Sequence, residues 1–165
     1  MRGVVAELGT LRPEDVTILD MEASIEHLSR GTVRHVDMLL VVVEPYFRAL
    51  ETLGRIVPLA RELGIGCIGV VANKVRSPED EAAIRDYCAR LDVSVIGSIP
   101  FDEAVQEADR LGRALLDYMP TAPAVRAIAK LTEHILENGR TLLKKETHNG
   151  HRREAEGASE AWHGR

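Results

Sequence analysis

Met38-Leu39-Leu40-Val41-Val42-Val43-Glu44-Pro45 is the stretch that decides the fold class. Six apolar residues, three of them valine, run without polar alternation and stop at an acid and a proline. A run of this kind suits a parallel strand buried on both faces. The same form recurs in Val16-Thr17-Ile18-Leu19, which ends at Asp20, and in Cys67-Ile68-Gly69-Val70-Val71-Ala72, which ends at Asn73-Lys74. It recurs once more in Val93-Ser94-Val95-Ile96-Gly97-Ser98-Ile99, which ends at Pro100. Four parallel strands are predicted.

Amphipathic stretches separate the runs. Helices are predicted over Ile25–His35 and Tyr46–Leu63, the second stopped by Gly64 and kinked near Gly54 by Pro58. Ser77-Pro78-Glu79-Asp80 opens a third: serine caps, proline suits the first turn, and the acids suit the helix dipole. Asp102 caps a fourth that runs to about Tyr118. The last, about Pro123 to Leu142, places Val125, Ile128, Leu131, Ile135 and Leu136 at helical spacing for burial. The β-α alternation makes this an α/β fold: a three-layer parallel sheet with flanking helices and right-handed crossovers.

The chain has 165 residues, 45% of them apolar, which fits one α/β domain over residues 1–143. Residues 144–165 lose all apolar periodicity and read as a disordered polar tail. A net charge of −5 and only 4% aromatic residues argue against a nucleic-acid partner. No run of about 18 apolar residues spans a membrane, and no signal peptide opens the sequence, so a cytoplasmic protein is expected. Cys67 and Cys88 form neither a disulfide framework nor a CxxC site.

In open parallel sheets, ligands bind beyond the carboxyl ends of the strands. Here those ends carry Asp20 with Glu22, Glu44 with Pro45, Asn73 with Lys74, and Pro100 with Asp102. An acid after the first strand can hold Mg²⁺ through water. An asparagine offers the paired donor and acceptor that an adenine edge requires. Each also has a plainer reading: a turn at Asp20, a left-handed loop at Asn73-Lys74, a strand stop at Glu44-Pro45, and a helix cap at Asp102. His27 and His35, eight residues apart, point about 80° apart on a helix, a poor geometry for shared ligation. His148, His151 and His163 belong to the polar tail.

Asp20-Met21-Glu22-Ala23-Ser24-Ile25-Glu26-His27-Leu28-Ser29-Arg30-Gly31-Thr32 resembles the switch region of CooC-type ATPases. These are nickel-insertion accessory proteins of carbon monoxide dehydrogenase, within the MinD/ParA group of deviant-Walker P-loop ATPases. The resemblance continues through Val41-Val42-Val43-Glu44-Pro45, Val70-Val71-Ala72-Asn73-Lys74-Val75 and Ile99-Pro100-Phe101-Asp102, and covers about residues 4–136. It implies that Asp20 is the switch acid, catalytic and close to Mg²⁺. It implies that Asn73 recognises adenine, that Pro100, Phe101 and Asp102 line the base, and that Glu44 and Pro45 lie by the nucleotide or a dimer interface. ATP and Mg²⁺ are the implied cofactors. The implied partners are a carbon monoxide dehydrogenase-like client and either a second copy or a complementing P-loop chain.

The family's lysine-containing, Gly-rich phosphate loop has no counterpart in these residues, and the first lysine is Lys74. The family's Cys-x-Cys metal pair is absent as well. The sequence therefore reads as a partial P-loop NTPase fold lacking the P-loop strand, corresponding to the C-terminal part of the family domain. ATP hydrolysis by this chain alone is not expected. Without its family neighbour the strand ending at Asp20 keeps an open edge, so marginal stability or pairing with another chain is expected. The competing reading is a non-catalytic dimerisation or docking module. A membrane- or DNA-positioning ATPase is disfavoured, because residues 123–142 form no basic face.

Overall fold

The computed structural model describes residues 16–21 and 36–137, and the statements below concern these residues. β1 (Leu39–Val43), β2 (Ile68–Val75) and β3 (Ser94–Pro100) form a parallel sheet in the order β1-β2-β3. α1 (Phe47–Glu62) links the first pair and α2 (Pro78–Arg90) the second. α3 (Glu103–Arg110), α4 (Leu115–Tyr118) and α5 (residues 123–137) follow β3. The chain divides into two units, Met1–Lys130 and Leu131–Arg165. The sheet lies in the first; the described part of the second is the end of α5.

Strand alternation decides the core. Val41, Val43, Val70 and Ala72 share one sheet face and are buried with Leu53, Ile56, Val57 and Ala60 of α1 and Ile84 and Cys88 of α2. Both crossover helices therefore cover the same face. A Cβ on Gly54 of α1 would stand 2.6 Å from the Tyr87 hydroxyl of α2, so any larger residue there would displace the tip of that side chain. On the other face Val71 is fully buried, whereas Val42 of the edge strand β1 is 60% exposed. In β3, Val95 pairs with Val70 and Gly97 with Val71, so Ile96 is an extra residue and the strand bulges there.

The helix ends follow local chemistry. Ser77 caps α2 by accepting from the Asp80 amide, with Pro78 at the first position. Three helices stop in the same double-bonded C-terminal motif. After α1, Gly64 and Ile65 donate to the carbonyls of Arg61 and Ala60; after α3, Gly112 and Arg113 donate to those of Asp109 and Ala108. After α2, Asp92 and Val93 make the same pair of bonds to Ala89 and Cys88. The motif needs a left-handed residue, and Asp92 occupies that region at φ 53° where the other two sites use glycine.

Three expectations are corrected. Val16–Leu19 is not a strand: residues 16–21 have no regular structure, and Ile18 is 84% exposed. A β-branched run forms a strand only with a ladder partner, and none of the three strands pairs with it; only Met21 packs against the core. The helix expected from Asp102 to about Tyr118 is two helices, because Gly112 at φ 61° ends α3. The apolar stripe of α5 is not buried: Val125, Leu131 and Ile135 are half-buried, while Ile128 and Leu136 are exposed. Ser24, Glu22, His27, His35, the Ile25–His35 helix and the 144–165 tail lie outside the described residues.

Asp92→Gly should raise the unfolding free energy by about 0.5–1 kcal/mol, since glycine takes the left-handed conformation freely. Arg61 bonds to the Asp92 carbonyl oxygen at 2.8 Å, a contact that the substitution keeps. Urea denaturation of the two proteins measures the difference.

Candidate functional site

The parallel arrangement brings the carboxyl ends of β1, β2 and β3 to one edge. Glu44 follows β1, Asn73 and Lys74 lie at the end of β2, and Pro100, Phe101 and Asp102 close β3. The register pairs Val75 with Pro100, and the Phe101 amide donates to the Val75 carbonyl at 2.8 Å, which extends the ladder by one bond. The two loops are thus fixed side by side.

Lys74 turns the chain in the left-handed region at φ 54°. Its Nζ lies 2.6 Å from Glu44 Oε1, so the β1 and β2 ends are tied together. That hydrogen bond, and then the charge of Glu44, hold the Lys74 ammonium above its ordinary pKa, so it stays protonated throughout the physiological range. The half-buried Asn73 accepts from the Lys74 amide through Oδ1 at 3.0 Å. This leaves one oxygen lone pair and both side-chain N–H groups for a ligand. Pro45 is half-buried beside Tyr46 and Phe47, which are exposed, Phe47 by 79%.

Asp102 does more than cap one helix. Its Oδ1 accepts from the Ala104 amide at 3.0 Å, and its Oδ2 accepts from the Ala124 amide at 3.1 Å, in the first turn of α5. One carboxylate therefore caps two helix starts, and neither of its oxygens is idle. Asp20 lies in the irregular segment, exposed, and makes no hydrogen bond or ion pair to the Glu44–Asn73–Phe101 group among the described residues. The structure thus brings Glu44, Pro45, Asn73, Pro100, Phe101 and Asp102 to one sheet edge, while Asp20 lies in the irregular segment 16–21. No cluster of three or more metal-ligating side chains occurs among the described residues. A single exposed carboxylate still suits Mg²⁺, which keeps most of its waters and takes its other ligands from phosphates.

Sequence reading missed Arg76. Its guanidinium carbon lies 3.4 Å from the centroid of the Phe101 ring, and its amide donates to Asp80 Oδ2 at 3.0 Å. Its meeting with Phe101 follows from the register that sets Val75 opposite Pro100, a tertiary pairing that local sequence does not reveal.

A family model described as 4Fe-4S iron sulfur cluster binding proteins, NifH/frxC family, matches residues 40–154. The chain belongs to this family. It is 45% identical over 120 residues to the carbon monoxide dehydrogenase accessory protein CooC of Rhodospirillum rubrum, covering 73% of this chain and 44% of that protein. It is 40% identical over 129 residues to an uncharacterized ATP-binding protein of Methanocaldococcus jannaschii, covering 77% of this chain and 48% of that one. The chain spans about half the length of these curated relatives. The cell division ATPase MinD of Pyrococcus furiosus superimposes with a TM-score of 0.66 at 23% identity, over 82% of this chain and 58% of that structure. A ParA family ATPase of Chlorobium tepidum superimposes with a TM-score of 0.55 at 22% identity, over 68% of this chain and 46% of its own. The fold is therefore part of the MinD/ParA-like P-loop architecture, and the resemblance to CooC-type ATPases holds.

The cluster in the family's description is held by cysteine thiolates. Cys88 is 1% exposed inside the α2 core face, and burial pushes its thiol pKa up. Cys67 precedes β2, at the amino end of the sheet and opposite the edge that carries Glu44, Asn73 and Phe101. These two residues, the only cysteines of the sequence, do not fit an iron–sulfur cluster.

Asp102→Ala should cost about 2 kcal/mol of stability, twice the roughly 1 kcal/mol of a single lost cap. Ser77→Ala, which removes one cap, is the internal standard, and parallel thermal melts compare the two.

Proposed function

We propose that this chain is the base-recognising part of a CooC-like ATPase that serves nickel insertion into a carbon monoxide dehydrogenase. One observation carries the reading: Asn73, Pro100 and Phe101 stand side by side at the carboxyl edge of a parallel sheet, with donor and acceptor capacity free on Asn73. The likeness to CooC and to an ATP-binding protein supports it.

In this reading Asn73 pairs with the adenine edge. Pro100 and Phe101 line the base, and Asp102 fixes their loop by holding both helix starts. Glu44 and Pro45 border the nucleotide, with Lys74 held to Glu44. Asp20 is the switch acid and meets Mg²⁺ through water. Mg²⁺ neutralises phosphate charge when bound. Hydrolysis needs a phosphate cradle of backbone N–H groups and lysine, which these 165 residues do not contain. Turnover therefore requires that loop from further sequence or from a second chain. The setting is cytoplasmic, and the client is a carbon monoxide dehydrogenase-like enzyme.

The second reading, a non-catalytic docking module, is favoured by the exposed Tyr46 and Phe47 and by Val42, exposed on the sheet face opposite α1 and α2. It predicts no nucleotide binding at all.

Calorimetric titration separates the two readings. Wild-type chain should bind MgATP, and Asn73→Ala should bind at least tenfold more weakly, the loss of a paired hydrogen bond. Phosphate release by either protein should stay at background. Silence in the titration, or an Asn73→Ala protein as good as wild type, contradicts the ATPase reading.

A further inference from the structure

Arg76 has no role in the adenine-nucleotide reading, yet its side chain is specifically placed at the sheet edge. Its guanidinium carbon stands 3.4 Å from the Phe101 centroid, the spacing of two planes in van der Waals contact. Both partners are held from behind. The Arg76 amide is bonded to Asp80 Oδ2 at 3.0 Å, and the Phe101 amide to the Val75 carbonyl at 2.8 Å. Arg76 is exposed and forms no ion pair among the described residues.

With its carbon 3.4 Å from the ring centroid and its side chain exposed, the guanidinium has one side against Phe101 and solvent access beyond it. Nucleobases stack on guanidinium planes as they do on aromatic rings. Aromatic residues are scarce here, with two phenylalanines in the whole chain, and one of them forms this stack. Asn73 stands three residues before Arg76 and offers edge-on hydrogen bonds. A purine is recognised by hydrogen bonds to its edge together with a flat surface against its ring, and this end of the sheet carries a residue suited to each.

We propose that Arg76, stacked on Phe101, is the purine platform of this site and sets base affinity through its planarity rather than its charge. The inference rests on the adenine-nucleotide reading above and adds the surface on which the base lies. Lysine at this position keeps the charge and removes the plane, so Arg76→Lys is the discriminating variant. A phosphate contact would tolerate lysine, whereas a stacking platform does not.

The full chain, Arg76→Lys, Phe101→Leu and Asn73→Ala are titrated with adenosine and, separately, with MgADP. Adenosine carries no phosphate and so reports the base alone. Arg76→Lys should weaken both ligands by a similar factor, about tenfold, which is the scale of one base stacked on a side chain. Phe101→Leu should weaken both to a smaller degree by loosening the plane. The loss of ultraviolet absorbance of bound adenosine near 260 nm, a signature of stacking, should diminish in Arg76→Lys. If Arg76→Lys matches wild type for adenosine, or loses affinity for MgADP alone, the platform is overturned. When Asn73→Ala is weakened but Arg76→Lys is not, the nucleotide reading stands and only the platform falls. A wild-type chain that binds neither ligand overturns both.

Discussion

The structure depends on the two-sided pairing of β2. It is bonded in parallel to β1 on one side and β3 on the other, and its centre, Val70-Val71-Ala72, has no solvent exposure to speak of. A strand buried on both faces and paired along both edges cannot slip by one residue without exposing its core side chains. That fixes where β2 ends, and therefore where Asn73 and Lys74 emerge. The left-handed turn at Lys74 and its ion pair with Glu44 follow at that point. The Val75–Pro100 pairing then sets the position of Phe101 against Arg76.

The second organising group is the Asp102 carboxylate. A helix start leaves backbone N–H groups without partners, and two helix starts meet at this residue. By accepting one bond with each oxygen, Asp102 joins the loop after β3 to the first turn of α5. An aspartate that reads as an ordinary cap in the sequence thus couples the loop after β3 to a segment more than twenty residues away.

Much of this was legible. Unbroken apolar runs marked β1, β2 and β3, although the two-sided burial they suggested is met at the centre of β2 and not in β1, where Val42 is exposed. Ser77-Pro78 and Gly64 marked helix ends through local chemistry that acts within a few residues. The convergence of Glu44, Asn73, Pro100 and Asp102 followed from strand direction alone. What stayed hidden depended on partners distant in sequence. The run Val16–Leu19 has strand composition, but a strand exists only in a ladder, and composition does not say whether the ladder is supplied. The second oxygen of Asp102 and the face of Phe101 are committed by tertiary neighbours. The break at Gly112 was readable, since glycine after a helical leucine is the usual left-handed stop, and the longer helix overran it.

The central claim is that the carboxyl edge of the three-stranded sheet receives an adenine nucleotide. Backbone hydrogen–deuterium exchange of the chain, with and without saturating MgADP, tests it most directly. The account predicts slowed exchange in residues 73–76 and 100–103, with little change in α1. Unchanged exchange in both loops, or protection confined to the amino end of the sheet around Arg61 and Asp92, would contradict it.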